Sequence, residues 1–373
     1  MARAFLVVLD SVGCGGATDA DLFFNGETPD TGANTLGHIA QACAAGRAEE
    51  GRSGPLKVPH LDQLGLGAAI LLASGAQTPG LSATPTGLWG AASEVSMGKD
   101  TPSGHWELAG VPVPWAWHYF PDQPECFPAA LVDQVKRAAN VGGILGNCHA
   151  SGTAIIDELG GEHMQSGWPI LHGMNVGRVI ARPFTGDPDT GFTRTTNRRD
   201  FAMRPPAKTL CDWVQDAGRK VYGIGKIGDI FSMQGISHSY KGADRDLMQH
   251  LLRLLDEAED GSLTFANFVE FDANYGHRRD VSGYARALEW FDSCLPDMLA
   301  RLRPDDLIIF TADHGNDPTW VGADHTRERV PVIGHGRGLL PIGLCAFVDV
   351  AASVAAHLGV AASGDGKSFL NPL

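Results

Sequence analysis

The sequence predicts an α/β fold: a central, mostly parallel sheet sandwiched by helices, with a smaller α+β segment inserted into it. Three observations carry this. Short runs rich in β-branched and aromatic residues occur at 5–9 (FLVVL), 220–227 (KVYGIGKI), 264–271 (TFANFVEF) and 307–311 (LIIFT), and runs of that kind and length read as buried strands. Helical patterns alternate with them, as in a covered parallel sheet. Between about Val113 and Pro205 this alternation lapses into Pro, Trp, Gly and turn residues.

Taken in order, FLVVL ends at Asp10, and the segment 98–107 (GKDTPSGHWE) reads as a Gly- and Pro-punctuated turn leading into a short helix near His105. A brief periodic stretch at 129–138 predicts a helix within the irregular region. The α/β pattern resumes with an amphipathic helix at 208–216 that leads into KVYGIGKI. Leu247, Leu251, Leu254 and Leu255 predict a helix over 246–260, and Leu288, Phe291, Leu295 and Leu299 another over 284–302. The division expected is a core formed by 1–114 and 206–373, discontinuous in sequence, and an inserted cap at 115–205.

Composition excludes several classes. The 373 residues are 43 % hydrophobic and 19 % charged, enough apolar material for a sizeable core. A formal charge of −14 opposes nucleic-acid binding, because the long-range field repels a phosphate backbone. The apolar run at 4–9 is shorter than the ~7–15 residues of a signal-peptide core. Nothing approaches the ~18–20 apolar residues of a membrane span. Seven scattered cysteines without a CxxC pair fit a reducing compartment. The expectation is a soluble, cytoplasmic protein with no membrane and no nucleic-acid partner.

In open α/β sheets, ligands bind beyond the carboxyl ends of the strands. The residues there are Asp10 after FLVVL, Asp272 and then His277 after TFANFVEF, and Asp313-His314 after LIIFT, followed by His325. Singly, an Asp after a strand also starts turns and a His is often structural. Together, oxygen and imidazole ligands without cysteine describe a site for hard or borderline divalent ions, with enough ligands for two.

Thr101 and Ser103 offer hydroxyl nucleophiles that a metal would activate, and the same residues also fit a capped turn. Arg178, Arg182, Arg194, Arg198, Arg199, Arg204 and Lys208 outnumber Asp187, Asp189 and Asp200 within the insert and its exit. Guanidinium forks suit phosphate oxygens, though a solvated basic face has the same composition. Lys226 is a further charge near a strand end.

These residues resemble a known family. Asp10-Ser11-Val12-Gly13, 30–38 (DTGANTLGH), 98–107 (GKDTPSGHWE), 274–280 (NYGHRRD) and Thr311-Ala312-Asp313-His314-Gly315 together are similar to the phosphopentomutases of the alkaline phosphatase superfamily. The resemblance implies an alkaline-phosphatase-like core with an inserted cap. It implies interconversion of (deoxy)ribose 1-phosphate and 5-phosphate through a phosphothreonine enzyme and a bisphosphate sugar, with a sugar bisphosphate as activator. It also implies two manganese ions (Mn2+) per chain, one held by Asp10, Thr101, Asp313 and His314, the other by Asp272, His277 and His325. Thr101 becomes the nucleophile and Ser103 a support. Arg178, Ile180, Arg194 and Lys226 match substrate-contact positions.

One departure stands out. After Gly167-Trp168-Pro169-Ile170 the family continues with a cap strand and helix whose Asp contacts the sugar, whereas here 171–175 (LHGMN) passes almost directly into GRVIARPF. A few tens of residues are missing. A cap that excludes water poorly turns a mutase towards a two-metal phosphate monoester hydrolase, and its failure would leave a catalytically silent metal-binding relative.

Overall fold

A computed structural model of the chain describes residues 1–370 apart from Tyr119, Asp122, Ser151, Thr153, 174–177, Thr196 and Arg198. At 178–180 and 199–202 the backbone alone is described. The chain divides into two units, 1–115 with 204–373 and, separately, 116–203.

The larger unit is built on eight strands: β1 (Ala4–Leu9), β2 (Leu88–Ser93), β3 (Val221–Ile224), β4 (His238–Tyr240), β5 (Leu263–Phe268), β6 (Leu307–Thr311), β7 (Val330–His335) and β8 (Leu340–Ala346). Their spatial order is β4-β3-β5-β1-β6-β7-β2-β8. Only β7 runs against the others, pairing antiparallel with β6 and β2. The parallel strands β5, β1 and β6 lie side by side, with Leu9 opposite Phe268 and Val8 opposite Thr311. Every residue of these three strands is buried, which is why they are largely apolar.

Helices cover the sheet. In one layer α1 (Thr35–Ala44) packs on α4 (Val281–Ala300), and α3 (Asp244–Glu257) packs on β5 and α4. In the other, α2 (Thr101–Leu108) packs on α5 (Phe347–Leu358). Leu288, Phe291 and Leu295 of α4 are fully buried, and each such side chain contributes roughly 1.5–3 kcal/mol.

Two elements end earlier than their apolar runs suggest. KVYGIGKI leaves the sheet after Ile224, because Gly225 takes φ +76° and Lys226 then caps the short helix Ile227–Ile230. TFANFVEF leaves it after Phe268, and Phe271–Gly276 forms a wide helical turn that carries Asp272. Helix α2 starts at Thr101, earlier than His105, because Asp100 caps it: its carboxylate accepts from Ser103 N at 3.1 Å and Ser103 Oγ at 2.9 Å. Strands β2, β4, β7 and β8 lack a long apolar run and are set by pairing.

Among the described residues, the smaller unit holds helices Ala129–Ala139 and Ala154–Ser166 and three two-stranded pairs. Phe120, Cys126 and Phe127 form its buried cluster, with Leu131, Val132 and Leu171 packed against them. Its hairpin Phe184–Asp187/Gly191–Arg194 turns on Asp187, whose carboxylate accepts from Asp189 N at 2.9 Å and Thr190 N at 2.8 Å.

Candidate active site

The fold brings Asp10, Asp272 and Asp313 to the carboxyl ends of three adjacent strands. Asp10 and Asp313 are fully buried and Asp272 nearly so. Asn267, on β5, donates to Asp10 Oδ2 at 3.0 Å, and Ser11 N donates to Asp313 Oδ1 at 3.1 Å. Ser11 reaches that position with φ +70°, unusual for a residue with a side chain, and its hydroxyl meets the buried Tyr284 hydroxyl at 2.9 Å.

The three imidazoles share one arrangement. His277 Nδ1 donates to Ala323 O at 2.6 Å, His325 Nδ1 to Lys99 O at 2.7 Å, and His314 Nδ1 to Gly315 O at 3.1 Å. Each Nε2 is thereby left as the atom that faces the carboxylates. His314 Nε2 lies 3.2 Å from Asp313 Oδ2 and 3.5 Å from Asp10 Oδ1, and His277 Nε2 lies 3.1 Å from Asp272 Oδ2. Among the described residues, Asp10 Oδ1 and Asp313 Oδ2 are buried without a hydrogen-bond partner.

Donor atoms of Asp10, Asp313 and His314 gather within 4.8 Å of one another, as do those of Asp272, His314 and His325. His314 therefore belongs to both groups. Orphaned carboxylate oxygens facing imidazole Nε2 atoms form the donor set of a divalent cation. The residues present fit such an ion.

The electrostatics agree. Burial, with the Asp313 and Asp272 carboxylates, pushes the Asp10 carboxyl up to about 6, while Lys226 and His314 oppose the shift. Burial would also raise Asp272, but His325 and His277 outweigh it and hold that carboxyl well below its usual range. This surplus of buried negative charge calls for a positive partner.

Thr101 opens α2, and its Oγ1 lies 3.4 Å from His314 Nε2. The loop before it is fixed from several sides. Arg327 donates to Gly98 O and Glu94 Oε2, each at 2.6 Å, and Lys99 Nζ donates to Phe24 O at 2.8 Å and Asp30 Oδ2 at 3.0 Å. Ser103 faces the Asp100 cap. His105, fully buried in α2, donates its Nδ1 proton to Thr101 O at 2.9 Å and lies 3.1 Å from Asp313 Oδ2.

Of the residues singled out by sequence, Asp10, Thr101, Asp272, His277, Asp313, His314 and His325 converge in the larger unit. Lys226, half-buried, lies near enough to Asp10 to lower its carboxyl pKa. In the smaller unit, Arg194 ends the exposed hairpin strand, its guanidinium against Gly152 beside His172. Arg178 and Ile180 fall on the strand Arg178–Ala181, and their side chains lie outside the described residues, as does Arg198.

Sequence reasoning did not assign Asn267, Asn316, Arg279, Arg327 or His105. Asn316 and Arg279 lie within or beside quoted motifs. Arg327 has no local signal, because its partners Asp19 and Glu94 are more than 200 residues away in the chain.

Fold and site together define a metal-binding enzyme with an alkaline-phosphatase-like α/β core, and residues 2–362 match the Metalloenzyme superfamily. A protein of known structure from Pyrococcus horikoshii, PH0037, shares the fold with a TM-score of 0.50 and 14 % identity, covering 96 % of this chain and 97 % of its own. Phosphopentomutase from Chelativorans sp. (strain BNC1) is 50 % identical, covering 100 % of this chain and 99 % of the relative. That of Shewanella frigidimarina is 47 % identical, with both chains covered completely. The chain belongs to the phosphopentomutase family. The Chelativorans alignment spans 412 positions against 373 residues here, so about 39 residues of that relative have no counterpart. Among the described residues, no helix is long and apolar enough to cross a membrane.

Proposed function

We infer that the protein is a phosphopentomutase, an isomerase that interconverts (deoxy)ribose 1-phosphate and (deoxy)ribose 5-phosphate, with Thr101 as the residue that carries the phosphoryl group. The observation that carries the assignment of roles is the placement of the Thr101 hydroxyl at a helix start, 3.4 Å from His314 Nε2, beside buried Asp10 and Asp313. Full-length identity with phosphopentomutases supports the overall reaction.

In this reading Asp10, Thr101, Asp313 and His314 would hold one manganese ion, and Asp272, His277 and His325 would hold a second. Manganese supplies Lewis-acid stabilisation of phosphoryl oxygens and lowers the pKa of a hydroxyl nearby. The chain's own residues do the rest. The Asp100 cap and His105 fix the start of α2, so the Thr101 oxygen stays in place through repeated transfers. Phosphothreonine passes its phosphoryl group to the free hydroxyl of the sugar monophosphate, giving a bisphosphate, and the Thr101 oxygen then takes the other phosphoryl group. Lys226 supplies a cation for substrate phosphate. Arg178, Ile180 and Arg194 are the substrate contacts of the insert, read as the cap domain. A sugar bisphosphate would charge an unphosphorylated Thr101. Seven free cysteines fit a cytoplasmic location.

A phosphorus NMR time course tests the reading, with ribose 1-phosphate, Mn2+ and a catalytic amount of sugar bisphosphate. Ribose 5-phosphate forming faster than inorganic phosphate is the expected result. Predominant inorganic phosphate would make the protein a hydrolase whose shortened chain admits water, and neither product would make it a silent metal-binding relative.

A further inference from the structure

We propose that Arg279 is a positioning residue for the Asp272, His277 and His325 half of the site. The proposal rests on the metal-site reading above.

The Arg279 side chain spends all five of its N–H donors on one neighbourhood. Nε donates to Gly322 O at 2.8 Å, Nη2 to Val321 O at 3.2 Å and to Asp324 O at 3.0 Å, and Nη1 to Gly276 O at 3.0 Å and to the side-chain oxygen of Asn316. His277 Nδ1 takes the remaining carbonyl of that loop, Ala323 O. All four carbonyls from Val321 to Asp324 are thus held by Arg279 or His277, and the next residue is His325.

The second arm runs through Asn316. With its oxygen bound by Arg279, its amide nitrogen is turned to Asp272 Oδ1, at 2.7 Å. Arg279 therefore fixes the loop that ends at His325, the turn that carries His277, and the orientation of Asp272. Its backbone is held at φ +54°, a left-handed conformation that is unfavourable for a side-chain-bearing residue. Glycine would adopt that conformation without strain, but it would supply none of the five donors.

Lysine carries the charge without the planar fork. Arg279→Lys and Arg279→Gly thus separate charge and backbone strain from the hydrogen-bond pattern, and Arg278→Gln, at the exposed neighbour, controls for lost charge. The measurement is a Mn2+ titration of chelator-stripped full-length protein, following free Mn2+ by electron paramagnetic resonance. Thermal midpoints of the stripped proteins are recorded beside it. We expect wild type and Arg278→Gln to bind in two phases. In both Arg279 variants one phase weakens about 10–100-fold, the other is kept, and the stripped protein melts near wild type. Activity returns towards wild type at high Mn2+ while the half-activating concentration rises. Wild-type Mn2+ affinities in both Arg279 variants would overturn the proposal, and so would equal weakening of both phases with a large fall in the stripped midpoint. Absence of Mn2+ binding in wild type would instead defeat the metal-site reading, and the proposal with it.

Discussion

His277 Nε2 and His325 Nε2 lie 3.2 Å apart, each ring having committed its Nδ1 to a backbone carbonyl. Two neutral imidazoles so arranged face each other lone pair to lone pair. Asp272 stands between them, at 3.1 Å from one and 3.4 Å from the other. A divalent cation would satisfy all three groups at once, which protons do only in part.

Mn2+ should therefore stabilise the chelator-stripped protein. A ligand at one hundred times its Kd adds about 2.7 kcal/mol for each site. Calorimetry should show a rising midpoint with Mn2+, and His325→Ala should lose much of that rise. An identical rise in the variant would remove His325 from the site.

Thr101→Ala should lower kcat by at least about 10⁴-fold, as removal of a nucleophile does elsewhere. Manganese content should stay close to wild type, because the donor atoms of Asp10, Asp313 and His314 remain grouped, and the thermal midpoint should too, because the Asp100 cap bonds to Ser103 and not to Thr101. Sugar isomerisation at the wild-type rate in this variant would defeat the assignment.

His38 and Asp317 tie α1 to the loop after Asp313 through a 2.5 Å contact. Hydrogen bonding to Asp317 raises the His38 pKa despite burial. A raised folded-state pKa gives stability that is fully present below the unfolded value and fades as pH rises through the folded one. His38→Gln should cost about 1 kcal/mol near pH 5.5 and much less near pH 9, read from urea midpoints. A cost that grows with pH would contradict the pairing.

Arg3 and Asp306 form a fully buried ion pair at 2.5 Å, far from the site. Asp306→Ala leaves the Arg3 guanidinium buried without its counter-ion and should cost about 3–5 kcal/mol. The midpoint should fall by roughly 4–6 °C, while the kcat of the protein that remains folded is unchanged.

The sequence by itself determined the α/β class, the three central strands and the acidic or imidazole residues that follow them. These features are local. A strand buried on both faces is largely apolar, so acidic residues shortly past its end stand out in the sequence, and the ends of neighbouring parallel strands gather at one edge. That is why Asp10, Asp272 and Asp313 were legible. Tertiary structure alone decided the pairing of β2, β4, β7 and β8, the reversal of β7, and the early departure from the sheet at Gly225. It also decided the support of the site: Arg327 on the Gly98 carbonyl, Ser11 on Asp313, and Arg279 on the loop before His325. Each of these contacts joins segments remote in sequence or depends on a backbone angle, and neither leaves a periodic trace in the order of residues.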